Sequence, residues 1–136
     1  MSATTVLHVA EVEGCPIRFF RSRRDGPDMP YVAVLDMLSA TRFPVGSRKL
    51  YMDNLPREFP DEVDTFAVET DGETALVRVC SHGMAMGIIG IGQHLKSSDI
   101  DVAYRMEAIA AVNKLTDEMG LGDGPAFEYC LKAVMR

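Results

Sequence analysis

Cys80, Ser81 and His82 place a thiol, a hydroxyl and an imidazole on consecutive residues. These are the side chains of nucleophilic catalysis, in which a base takes the nucleophile's proton across a hydrogen bond. Neighbours on an extended strand point to opposite faces, so adjacency does not by itself make a nucleophile–base pair. The stretch reads instead as a strand end followed by a helix cap at Ser81. A zinc ion would have Cys15, Cys80, His82 and His94 to draw on, and only Cys80 and His82 lie close together in the chain, whereas zinc sites usually pair their ligands at short spacing. The run Gly87-Ile-Ile-Gly90-Ile-Gly92 has neither the G-x-G-x-x-G order of a dinucleotide loop nor the Gly-Lys-Ser/Thr ending of a P-loop. The spacing Gly83…Gly87 suggests instead close approach by another helix or strand. The sequence therefore predicts no catalytic residue, no metal and no cofactor.

The arginines carry the main functional signal. Arg18, Arg21, Arg23 and Arg24 cluster at one strand and its end, and Arg42, Arg48 and Lys49 surround the next helix. If they converge on one face, they form a nucleic-acid interface in which guanidinium groups meet phosphates and guanine edges. The competing reading is a solvated basic face, or ion pairs with the acidic remainder of the chain. The formal net charge of −6 and pI near 5.0 disfavour a protein that coats nucleic acid through overall charge. Phe19, Phe20 and Phe43 read as core rather than as stacking platforms.

The elements that must position these groups follow from pattern and turn chemistry. Thr4 to Val12 and Pro16 to Arg21 read as strands broken at Glu13-Gly14, and residues 23–30 as a loop. A short extension at Tyr31-Val32 leads into a helix from Ala33. A second helix, capped by Ser47, is expected to stop at Pro56. Asp71-Gly72 between β-rich runs predicts a hairpin. Ser81 is expected to open a helix to about Leu95, and Ser98 with Asp101 to open another through a capping box. A last helix should carry Phe127, Cys130, Leu131 and Val134 on one apolar stripe, buried in a core or a dimer.

The chain has 136 residues, with 47% hydrophobic and 25% charged. That is enough to bury a core. Its three cysteines are odd in number and far apart, so free thiols are expected rather than a disulfide framework. No apolar run is long enough to span a bilayer, and no basic-then-apolar leader opens the chain, so the expectation is a cytoplasmic protein without membrane contact.

Ile17-Arg18-Phe19-Phe20, Asp25-Gly26, the step Pro30-Tyr31-Val32-Ala33 into Asp36-Met-Leu, and the second hairpin leading into Gly83-Met-Ala-Met-Gly-Ile-Ile together resemble the Bro-N domain of phage antirepressors and baculoviral Bro proteins, over residues 12–90. The chain departs from that pattern in its longer first loop, Pro27-Asp28-Met29-Pro30, and in Ala85 where an aromatic is usual. The resemblance implies a phage or prophage regulator that binds duplex DNA.

The expected fold is therefore α+β: a small antiparallel sheet from two hairpins with short helices between, over residues 1–97, and two C-terminal helices over 98–136 that pack on it or form a dimer. The expected function is non-enzymatic binding, with duplex DNA the first partner and Arg18, Arg21, Arg23, Arg24, Arg42, Arg48 and Lys49 the contacts. The alternative is a protein-binding inhibitor or adaptor that engages a regulator or host protein. A homo-oligomer is expected in either case.

Overall fold

The computed structural model describes residues 2–94 and 99–136. Strands β1 (His8–Val12) and β2 (Cys15–Phe20) form the first hairpin. Its turn residues Glu13 and Gly14 both have positive φ, 50° and 81°, the geometry that matches the twist of a two-residue hairpin loop. The loop 21–30 leads to β3 (Tyr31–Ala33), helix α1 (Val34–Ala40) and helix α2 (Val45–Glu58). Strands β4 (Val63–Thr70) and β5 (Glu73–Cys80) form the second hairpin around Asp71 and Gly72, with φ of 52° and 82°. Helices α3 (His82–His94), α4 (Asp101–Glu118) and α5 (Asp123–Val134) complete the chain. The sheet has five strands in the order β1-β2-β3-β5-β4, with every neighbouring pair antiparallel. The α+β class with its two hairpins is as the sequence predicts.

The sheet closes on itself. Thr4 donates to the Ala67 carbonyl and accepts from the Glu69 amide, both at 2.8 Å, and Leu7 donates to Phe19 at 2.9 Å. The segment before β1 thus runs from the outer edge of β4 to the edge of β2. It shields an edge that would otherwise expose unpaired backbone groups. Two buried clusters result. One holds Phe20, Tyr31, Ala33, Phe66, Val68 and Val79, with Val6 and Val77 packed against it. The larger one joins Ile17, Phe19 and Val32 of the sheet to Met37 and Leu38 of α1, Ile88 and Ile89 of α3, and Tyr104, Ala108 and Val112 of α4. Helix α4 therefore shares the sheet's core rather than standing as an appendage.

Three local expectations change. The strand expected from Thr4 is regular only from His8, with Thr4 in an isolated bridge. Ser47 does not cap α2; it lies inside the helix and donates to the Pro44 carbonyl at 2.9 Å. Nor does Pro56 end that helix, which continues to Glu58. Proline forfeits a single hydrogen bond there, and near a helix end this costs less than in mid-helix. Ser81 does cap α3, accepting from the Met84 amide at 3.2 Å. The predicted cap at Ser98 and the predicted helix end at Leu95 lie outside the described residues. No described helix is long and apolar enough to cross a membrane.

Candidate functional site

The basic residues are placed by β2, the loop after it and the α1–α2 junction, and most are occupied by partners within the chain. Arg18 on β2 grips Asp36 of α1 through Nε and Nη2 at 2.9 and 3.1 Å, while its backbone amide donates to the same carboxylate at 3.0 Å. Hydrogen bonding to Asp36 outweighs burial and raises the Arg18 pKa. Arg21 forms a two-pronged pair with Glu118 at 2.9 and 2.7 Å, tying the strand end to the last turn of α4. Arg24 grips Asp28 at 2.8 and 2.9 Å and faces Glu62 at 3.6 Å. Lys49 pairs with Asp53 one helical turn on, at 2.9 Å.

The remaining members differ. Arg23 donates to the Ser2 carbonyl and lies 4.3 Å over the Phe66 ring. Arg48 donates to the Phe43 carbonyl and Ser39 hydroxyl. Arg42 is exposed at a positive φ of 59°, just after α1. Among the described residues, Arg23, Arg42 and Arg48 form no ion pair with a carboxylate. They do not share one groove: Arg23 borders a hollow with Asp61 and Asp64 that neither Arg42 nor Arg48 lines.

Asp28 is the charged residue that sequence reading passed over. It is 3% exposed and sits beneath Arg24, Ser22 and the α5 residue Tyr129. Burial opposes its charge, but hydrogen bonds from Arg24 and Ser22 prevail and its pKa is lowered. The Arg24…Asp28 spacing of four residues was visible, yet in a loop it carries no helix-face meaning. Arg24 is therefore part of the fold, so reversing its charge would not leave the structure intact.

Of the Cys80-Ser81-His82 run, Cys80 and Ser81 are buried, while His82 is half-buried and edges the hollow that contains Arg105. The Cys80 side chain is fully buried, and burial pushes its thiol pKa far up, the opposite of an activated nucleophile. Ser81 donates to the Glu62 carboxylate while capping α3. His82 stacks on Tyr104, with ring centroids 5.7 Å apart and Nδ1 3.2 Å from the phenolic oxygen. Burial, aided by Arg105, lowers its pKa. No group of His, Cys, Asp and Glu among the described residues is arranged to hold a metal ion, and all three cysteines are free.

A different surface stands out on α4 and α5. Phe127 was expected to be buried in a core or a dimer; the core of the single chain does not take it up, and it is 70% exposed. Leu131 and Val134 on α5, and Val102, Met106 and Ile109 on α4, are exposed as well. Between the helices runs a groove of about 670 Å³ lined by Ile109, Val112, Ala126, Phe127, Leu131 and Val134, with Asp117 and Asp123 at its border. The Ile109 and Val134 side chains also edge a neighbouring hollow that contains Arg105. The stripe exists because apolar residues recur at i, i+4 and i+7 on α5. The helix nevertheless buries only Ala133 fully, because Tyr129 and Cys130 supply the contact with the core and Phe127 stays on the groove side beside Cys130.

Comparisons with protein-family models, with curated proteins and with solved structures find no match for this chain.

Proposed function

We propose that this protein acts by binding another protein chain through the α4–α5 face, and that the occupant is a second copy of itself. The observation that carries this reading is the contiguous exposed apolar surface around Phe127. With a phenylalanine counted at roughly 200 Å², the exposed parts of Val102, Met106, Ile109, Phe127, Leu131 and Val134 amount to on the order of 600 Å². Soluble monomers rarely expose more than a few hundred Å² in one apolar patch, and a stable interface takes about 800 Å² from each partner. A two-fold pairing suits the face, because it offers both a projecting ring and a groove of matching chemistry. The rim carries both signs, Asp117 and Asp123 on one side and Arg105 on the other, as self-pairing requires. The buried, unactivated thiol of Cys80 supports binding over catalysis.

Sedimentation equilibrium across a concentration series tests this. Wild type should shift from monomer to dimer, and Leu131→Glu should remain monomeric with an unchanged far-UV spectrum. A wild type that stays monomeric to millimolar concentration would sink the reading.

The second reading is a phage-type regulator that contacts duplex DNA, supported by the three arginines without an acidic partner. Its test is fluorescence anisotropy on random duplexes at low salt. Binding should weaken with salt, with a slope of about −0.9 in log K per phosphate neutralised, and Arg42→Glu with Arg48→Glu should remove it. Retained affinity in that double variant, or no binding by wild type, would discard the DNA reading.

A further inference from the structure

A second cavity lies apart from the α4–α5 face. It has a volume of about 460 Å³ and sits between α2 and α3, with Phe43, Tyr51, Leu55, Met84, Ile88 and Ile91 as its apolar walls. That is the size and lining of a small-molecule site. Gly83 and Gly87 lie one turn apart on the wall formed by α3. The sequence suggested that these glycines admit a close neighbour, but a methyl group at Gly87 would meet nothing within 4 Å, and one at Gly83 only the Ser81 hydroxyl at 4.0 Å. Neither has the positive φ that demands glycine. Glycine is the poorer helix former, so its presence here does not serve helix stability or packing; it leaves the cavity wide.

One end of the cavity is polar, built from Arg24, Glu62 and Arg136. Two of these are already satisfied. Arg24 is held by Asp28, and Glu62 accepts from Ser81 and faces Arg24. Arg136 is different. Its Nη1 donates to the Asp25 and Pro27 carbonyls at 2.6 and 3.2 Å, which fixes the guanidinium over the cavity end without neutralising it. Among the described residues it forms no ion pair or hydrogen bond with a carboxylate, Asp28 being near enough only to feel its charge, and its Nε and Nη2 donate to no described protein group. A planar guanidinium with two adjacent free donors matches a carboxylate.

We propose that the α2–α3 cavity binds a small amphipathic carboxylic acid, its apolar body lying along Gly83 and Gly87 and its carboxylate on Arg136. The site shares no lining residue with the α4–α5 groove.

Isothermal titration calorimetry with decanoate and with decanol tests body and head separately. Decanoate should bind wild type at least about tenfold more tightly than decanol. Arg136→Gln, a surface change, should weaken decanoate to the level of decanol and leave decanol unaltered. Gly87→Leu should abolish both, with a melting temperature no lower than wild type because the new side chain enters open space. Gly87→Ala gives an intermediate loss should the leucine variant not fold. Equal affinity for decanoate in wild type and the Gly87 variants places any binding elsewhere and overturns the site. Unchanged decanoate affinity in Arg136→Gln overturns the carboxylate assignment, and no heat with either ligand overturns the whole proposal.

Discussion

Arg24→Met is the substitution that best separates a structural arginine from a ligand-facing one. Arg24 supplies two charge-assisted hydrogen bonds to Asp28, a carboxylate only 3% exposed. Methionine keeps the apolar stem but leaves Asp28 buried with the Ser22 hydroxyl and the more distant charge of Arg136 to answer its own. Removing one partner of a buried pair costs roughly 3–5 kcal/mol. Arg24 itself is 30% exposed, so water offsets part of this, and a loss of about 2–3 kcal/mol is expected. Arg21→Met provides the control. Its pair with Glu118 is 34% and 40% exposed, and pairs of that kind contribute about 0–1 kcal/mol. In urea denaturation, with m of about 1–3 kcal/mol per molar, Arg24→Met should lower the midpoint by roughly 1 M or more and Arg21→Met by much less. Adding Asp28→Asn to Arg24→Met should restore much of the loss, since the buried charge is then gone. The pH dependence has a defined sign. In wild type the Asp28 pKa is lowered in the fold, so its contribution is present above the unfolded value of about 3.9 and is lost as pH falls through the folded one. In Arg24→Met burial is opposed only by Ser22 and the charge of Arg136, so the Asp28 pKa should rise relative to wild type and the gap between the two proteins should narrow as acid protonates Asp28. Equal losses for the Arg21 and Arg24 variants, or a gap that widens in acid, would refute the reasoning.

Phe127→Ala should change the unfolding free energy of the dilute monomer by less than about 1 kcal/mol, because the ring is already 70% exposed, while weakening self-association in sedimentation. His82→Phe keeps the stack on Tyr104 but removes a titrating group. Because the His82 pKa is lowered in the fold, the unfolded chain takes up its proton first; wild-type stability should fall as pH drops below about 6.5, and the variant should lose that slope in thermal melts. Cys80 should resist a thiol reagent until the protein unfolds, whereas Cys15 and Cys130, both partly exposed, should react in the native state; rapid native labelling of all three would contradict the burial of Cys80. Gly72→Ala forces a Cβ onto a φ of 82° and should cost about 1–2 kcal/mol by chemical denaturation, and a neutral result would mean the turn relaxes.

Where local chemistry decides, the sequence was legible. Asp71-Gly72 marked the second hairpin because both residues tolerate positive φ, and both adopt it. Ser81 marked the start of α3 because its hydroxyl can accept from an amide three residues on, as it does. What depends on distant partners was not legible. Arg21 meets Glu118 and Arg18 meets Asp36, and no spacing rule links residues so far apart. The apolar stripe of α5 was correctly seen as a stripe, but its burial depends on which side of the helix meets the core. Tyr129 and Cys130 pack against it, while Phe127 is left 70% exposed. Nor did periodicity reveal that the chain before β1 closes the sheet onto β4, since a single bridge at Thr4 leaves no alternating pattern.

Clustered arginines on an acidic protein have a structural cause in the rolled sheet. The smaller core is aromatic, with Phe20, Tyr31 and Phe66 fully or nearly fully buried, and the larger core with its helices lies elsewhere. Guanidinium groups stand over these rings: Arg23 at 4.3 Å from Phe66, Arg24 at 5.5 Å from Tyr31 and Arg18 at 6.0 Å from Phe20. A guanidinium is planar, weakly hydrated and attracted by the face of a ring, so it can border an aromatic cluster while its nitrogens reach carboxylates and water. The carboxylates are supplied by Asp36 and Asp28. Each of these arginines therefore joins an aromatic contact to a polar one, and lysine, whose compact charge is strongly hydrated, would not substitute. The basic cluster that suggests a phosphate-binding surface in the sequence is in large part what holds the edge of the aromatic core. An apolar face without such internal partners lies on α4 and α5, and this exposure is what supports the self-association we propose over phosphate binding.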